Sequence, residues 1–126
     1  MKKFTTIILA VLLAFSCLMF TACMPSTPEK AKENLEKEGY SVILTESSAL
    51  LNASAVAAGL KKDTITAIVS ATNGGATIAI YYCNDYNSAN DLEEYLDDKF
   101  DDQGVEVDRS GKIVWIGTET AIKDAQ

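Results

Sequence analysis

The chain has 126 residues, 48% of them hydrophobic, with 11 basic and 18 acidic side chains, a formal charge of −7 and no histidine. The acidic excess disfavours DNA, RNA and other polyanionic partners. The missing histidine removes the commonest general base and zinc ligand, and with it any Ser-His-Asp or Cys-His arrangement.

Residues 1–22 differ from everything that follows. Lys2 and Lys3 make a basic head, Phe4 to Phe20 is almost wholly apolar, and the small Ala22 stands before Cys23. That pattern predicts an export signal rather than part of the folded domain. Two other readings stand beside it. A conventional secretory signal cut after Ala22 would leave a soluble protein with a free Cys23. A retained transmembrane anchor would need Phe4 to Ala22, 19 residues, to cross the bilayer. That length is near the lower limit, Ser16 and Thr21 interrupt it, and no basic stop-transfer cluster follows.

Phe20-Thr21-Ala22-Cys23 resembles the lipobox of bacterial lipoproteins, with Phe20 where that family prefers leucine. The resemblance implies a diacylglycerol on the Cys23 thiol, cleavage just before it, and often an acylated new amino terminus. Cys17, after Ala14-Phe15-Ser16, is the second candidate; cleavage there would leave Leu18-Met19-Phe20 in the mature chain. The resemblance covers the leader alone. It implies a bacterial membrane location, with the domain outside the cytoplasm and held by its N-terminal lipid. Two or three acyl chains, at roughly 0.8 kcal/mol per buried methylene, hold a small domain at a bilayer for long periods.

Residues 23–27 then read as a lipidated tether and 28–126 as a single α+β domain. The 104 residues beyond position 22 suffice for one core. They carry nine basic and 18 acidic residues, a formal −9. With Cys23 acylated, Cys83 is the one remaining cysteine, so no disulfide framework is expected and the core must carry stability.

Thr27-Pro28 reads as an N-cap followed by proline at the first helical position, opening a helix over 28–38 that Gly39 ends. Its apolar stripe is only Ala31 and Leu35. Residues 40–45 form a first strand. A short helix follows over 49–59, with Leu50, Ala53 and Ala57 at helical spacing and Leu51 widening that face. Residues 64–71 and 76–83 alternate as strands around Thr72-Asn73-Gly74-Gly75, which predicts an antiparallel hairpin. Residues 84–89 read as a loop. Asn90 with Glu93 predicts a capping box for a helix whose stripe is Leu92, Tyr95, Leu96 and Phe100. Strands are expected at 105–107 and 113–116, then a helical turn or frayed end over 119–125.

These elements predict an α+β domain, a two-layer sandwich with a mainly antiparallel sheet of four or five strands and helices on one face. The order strand, helix, strand, strand, helix, strand resembles the ferredoxin-like arrangement, with an extra leading helix and a C-terminal hairpin.

Chemistry is sparsely marked. Cys83 has aromatic and acidic neighbours, which raise a thiol's pKa instead of activating it. Asp91, Glu94, Asp98 and Asp101 or Asp102 recur at helical spacing and read as a solvated acidic face. Asp85-x-Asn87 begins like a calcium loop, but Ala89 stands where an oxygen ligand belongs. There is no GxxxxGK cradle and no GxSxG elbow. The expectation is no enzyme, no cofactor and no metal site. Tyr81, Tyr86 and Trp115 are the candidate binding-surface residues, since exposed aromatics serve peptides, glycans and partner proteins. Ile113 and Trp115 oppose Val114 and Ile116, so that strand is either covered on both faces or meets something outside the domain. The function expected is a lipid-anchored extracytoplasmic binding or protein-interaction module. The alternatives are an accessory envelope lipoprotein without catalysis and a small hydrolase acting through paired carboxylates.

Overall fold

A computed structural model describes residues 24–126. Cys17 and Cys23, and with them the expected leader and lipid site, lie outside the described residues.

The first helix, α1 (Pro28–Lys37), starts as its sequence dictates. Thr27 is extended, its hydroxyl accepts from the Lys30 amide at 3.3 Å, and Pro28 occupies the first turn. Such a cap contributes about 1 kcal/mol. Ala31 and Leu35 are fully buried and tie α1 to the sheet. Gly39, at φ +89, turns the chain into strand β1 (Ser41–Thr45).

The second helix, α2 (Ser48–Ala57), returns the chain to β2 (Ile65–Asn73). Strand β2 turns through Gly74-Gly75 into β3 (Ala76–Cys83), the hairpin expected from Asn-Gly, with Asn73 opposite Ala76. Helix α3 (Tyr86–Phe100) leads to β4 (Glu106–Ser110), β5 (Ile113–Gly117) and a last helix, α4 (Glu119–Ala125). The sheet order is β1-β2-β3-β5-β4, and every pairing is antiparallel. The α+β class and the five-stranded antiparallel sheet agree with expectation.

The ferredoxin-like arrangement does not form. That pattern needs strands joined by a helix to run parallel with another strand between them. Here β1 and β2, joined by α2, are antiparallel neighbours.

The helices divide between the two faces instead of sharing one. Ala67, Val69, Ala71, Ile78, Ile80, Tyr82 and Trp115 form one core with Ala31 and Leu35 of α1 and Ala121 and Ala125 of α4. Ile68, Cys83 and Val114 form a second core with Leu51 and Ala55 of α2 and Ala89, Leu92 and Leu96 of α3. Period-two alternation sends these two sets to opposite faces. A sheet covered on both sides has near-continuous apolar strands, which explains Ile65–Ala71 and Ile113–Ile116. Ile65 departs from simple alternation. An irregularity in register between Ile65 and Ala67 turns it into the second core, and the Thr66 hydroxyl donates to the Tyr82 carbonyl at 3.0 Å.

Helix α3 begins four residues before the expected Asn90 cap. Asp85 is the N-cap, accepting from the Ser88 amide at 2.7 Å. The earlier start seats Ala89 against the sheet with Leu92 and Leu96, the i, i+3, i+7 spacing of one helical face. The tail is helical because it is held in place. Asn34 Nδ2 donates to the Ala125 carbonyl at 2.9 Å, and the Tyr40 hydroxyl donates to Asp124 at 2.8 Å. Gly117 is required by crowding, since a Cβ there would stand 2.6 Å from the Thr77 carbonyl oxygen.

Residues 24–27, read as part of a tether, are seated on the domain. Met24 is 4% exposed within the α1/α4 core, and the Tyr82 hydroxyl donates to the Pro25 carbonyl at 2.9 Å, with the Thr27 carbonyl at 3.2 Å.

Candidate functional site

Helix α2 is the unusual element. Its sequence, SALLNASAVA, is apolar around most of its circumference, a composition that normally belongs to a fully buried helix. Yet it lies on one sheet face with its other side open. Leu51 and Ala55 are buried, whereas Leu50 is 60% and Val56 56% exposed, with Ala49, Ala53 and Ala57 exposed beside them. The expected inward face of Leu50, Ala53 and Ala57 is therefore the outward one. The choice is made by contacts outside the helix. Asn52 Oδ1 accepts from the Asp63 amide at 2.7 Å, and the Leu60 amide donates to the Ala55 carbonyl at 2.8 Å. Asp63 adopts φ 65, the left-handed region, which costs a non-glycine residue of order 1 kcal/mol and is offset by this bond.

Beside α2 in sequence lies the edge strand β1. Val42 and Leu44 pack toward the α1/α4 core, so Ile43 points to the sheet face that carries α2, and it is 67% exposed. An edge strand also offers unpaired backbone groups. Ile43, Leu50 and Val56 are three of the four large apolar residues exposed among the described residues; Tyr86 is the fourth.

The three aromatic candidates are not brought together. Tyr86, the first residue of α3, is 62% exposed, with Lys112 Nζ 5.4 Å from its ring centroid. Tyr81 is half-buried under α2 and α3 and lines a cavity of about 200 Å³ with Ser54, Ala58, Leu92, Tyr95 and Phe100. Burial, and secondarily Tyr95, pushes its phenol pKa up. Trp115 is instead core, 6% exposed beneath α1 and α4 in a strand flanked by β3 and β4. Its strand is covered on both faces, the first of the two options its sequence left open.

Cys83 is a buried free thiol, pushed up to about 11 by burial and then by Asp85. At neutral pH it is protonated, the unreactive form. The acidic residues of α3 line an open hollow of about 700 Å³ that includes Asp91, Glu94, Asp98 and Asp101. Among the described residues no group of three or more Cys, Asp or Glu side chains is placed to hold a metal ion. No described helix is long and apolar enough to cross a membrane. No protein-family model, curated protein or solved structure matches this chain.

Buried hydroxyl and thiol groups give the domain a defined alkaline limit. Burial pushes Tyr40 up to about 12, helped by its hydrogen bond to Asp124; burial and then Glu29 push Tyr82 up to about 12. Groups raised in the folded state stabilise fully below their unfolded pKa and lose that contribution as pH rises through the folded value. Urea unfolding should therefore show constant support from these groups at neutral pH and falling stability between about pH 9 and 12. Tyr82→Phe should flatten the upper part of that decline; an unchanged slope would contradict the assignment.

Proposed function

We propose that the protein is a lipid-anchored extracytoplasmic interaction module whose contact surface is the outward face of α2 with Ile43 of β1. The observation that carries this reading is the exposure of Leu50 and Val56 on a helix with no polar outward side. Single exposed apolar residues are ordinary, but an apolar outward helix face is what partner proteins cover, and Ile43 is exposed on the same side of the sheet. The anchor belongs to the reading through Cys23 and its lipobox resemblance.

A photoreactive side chain at Ala53 tests the surface in the native envelope. The expected result is a discrete crosslinked adduct that disappears when Leu50→Lys and Val56→Lys are added. Both positions are solvent-exposed, so each substitution should change stability by no more than about 0.5 kcal/mol. Absence of an adduct, or an adduct indifferent to the two lysines, would reject this surface and favour the accessory envelope role.

A further inference from the structure

The two edges of the sheet are built differently. Strand β4 carries Glu106, Asp108 and Arg109 among its five residues, and Arg109 is tied to Glu93 of α3 at 3.1 Å. Charges along an edge resist the addition of another strand. Strand β1, the other edge, reads Ser-Val-Ile-Leu-Thr, without a charge or a proline. Its register with β2 is unbroken from Ser41 to Thr45, so no bulge turns this edge away. Val42 and Leu44 pack against the α1/α4 core, whereas Ile43, on the other face, is 67% exposed. The open edge is therefore also the apolar one.

This strand matches itself. Read in either direction it is hydroxyl, aliphatic, isoleucine, aliphatic, hydroxyl. An antiparallel pair of two β1 strands centred on Ile43 sets Ser41 opposite Thr45 of the second copy and Val42 opposite its Leu44. The two Ile43 side chains then face each other. Hydroxyl pairs and aliphatic pairs are both favourable across strands. Centring on Leu44 would instead oppose Glu46 to Val42, an apolar residue of the core face.

An acidic domain repels its own copies in general, so pairing needs a local match of charge. In the register centred on Ile43, Glu46 falls opposite the buried Tyr40, and Glu38 lies beyond the Gly39 turn. No carboxylate faces another across the strands. On the α1 side, Glu29, Lys30, Lys32, Glu33 and Glu36 surround a hollow of about 600 Å³ that reaches Leu44. These charges are mixed and nearly balanced. The Lys30–Glu33 and Lys32–Glu36 pairs are exposed, so their members are available to opposite charges on a second α1.

We propose that a second copy of this chain occupies the β1 edge, the two strands pairing antiparallel about Ile43. The proposal rests on the interaction-module reading in placing a contact at Ile43, and it names the occupant there. Two five-stranded sheets become one continuous sheet around a two-fold axis perpendicular to it. That axis keeps each face on its own side. Both Met24 residues, in the α1/α4 cores, stay on one face, and both α2 helices stay on the other. Ser54, Ala57 and Ala58 line the cavity shared with α3, which puts Val56 on the opposite flank of α2, toward β1. The dimer thus forms a trough floored by two Ile43 side chains and walled by two α2 helices.

Thiol crosslinking of the full-length protein in the cells that make it tests the pairing. Cys83 is buried, and the wild-type chain gives the background from its own cysteines. A short bifunctional maleimide should link Ile43→Cys to itself as a discrete species of twice the monomer mass. Ser41→Cys and Thr45→Cys, co-produced with tags of different length, should link to each other far more than either links to itself. Ser110→Cys on the charged edge should not link. Ile43→Glu removes one favourable cross-strand pair and creates a like-charge pair, so it should lower the Ser41–Thr45 link about tenfold. Equal linking at Ser110 and Ile43 would show random collision and overturn the proposal, as would a link from position 43 to a different protein. Absence of the position 43 link with the Ala53 adduct retained would overturn the pairing and leave the contact surface on α2 standing. A retained link with no Ala53 adduct would uphold the pairing and reject the α2 surface alone.

Discussion

Trp115→Ala is expected to destabilise the domain by about 3–5 kcal/mol, the range for emptying a large aromatic site. A domain of this size has a total stability of about 5–15 kcal/mol, so the variant should sit near the edge of folding. Thermal unfolding monitored by far-UV circular dichroism should show a midpoint lowered by on the order of 20 °C. The reason is position. Trp115 stands opposite Ile80 in the register of β3 and β5, and its side chain packs among Ala31, Leu35, Ala121 and Ala125. The alanines on both helices let them lie close to the sheet, and the indole fills the space between. Trp115→Phe should lose far less, because most of that volume is kept. A stability change within about 0.5 kcal/mol for Trp115→Ala, together with loss of partner crosslinking, would instead identify the indole as a surface anchor.

Cys23→Ala is expected to abolish acylation and release the mature-size protein from the membrane fraction. Two long acyl chains, at about 0.8 kcal/mol per buried methylene, amount to on the order of 20 kcal/mol of membrane affinity. No exposed side chain on this domain replaces that. Intact-mass measurement should show the acyl increment on wild-type protein and none on the variant. An unchanged mass with full membrane retention in Cys23→Ala would overturn the lipobox reading, and Cys17→Ala would then be the next substitution to compare.

The proposed anchor and the proposed contact surface would act on separate parts of the molecule. Met24 enters the α1/α4 core, whereas α2 covers the other sheet face. A partner seated on Leu50 and Val56 would not displace the N-terminal segment. This separation makes the two predictions independent: substitutions on α2 should leave membrane attachment unchanged, and Cys23→Ala should leave the folded domain intact.

Local signals carried most of the elements. Thr27-Pro28 placed the start of α1, Asn73-Gly74 placed the β2–β3 turn, and Leu92 with Leu96 marked the inward face of α3. Each is readable because the governing contact lies within a few residues. The Asp85 cap was readable in principle, since Ala89, Leu92 and Leu96 share one helical face. The loop reading of residues 84–89 hid it, because polar residues 87 and 88 serve a turn and a first helical turn equally well.

Pairing and facing were a different matter. The expected one-sided sheet and ferredoxin-like order came from element succession, which does not say whether strands joined by a helix run parallel or antiparallel. Only tertiary contacts decide that, and they made β1 an edge strand beside β2. The inward face of α2 was undecidable from its own residues because apolar side chains surround it; Asn52 and Asp63, 11 positions apart, set its rotation. Trp115 could not be assigned to core or surface until α1 and α4, from opposite ends of the domain, met over it. By itself the sequence determined an acidic, histidine-free α+β domain after an apolar N-terminal stretch, with its helix starts and hairpin turn. The tertiary structure decided which apolar residues remained exposed, because burial depends on which distant segments arrive to cover them.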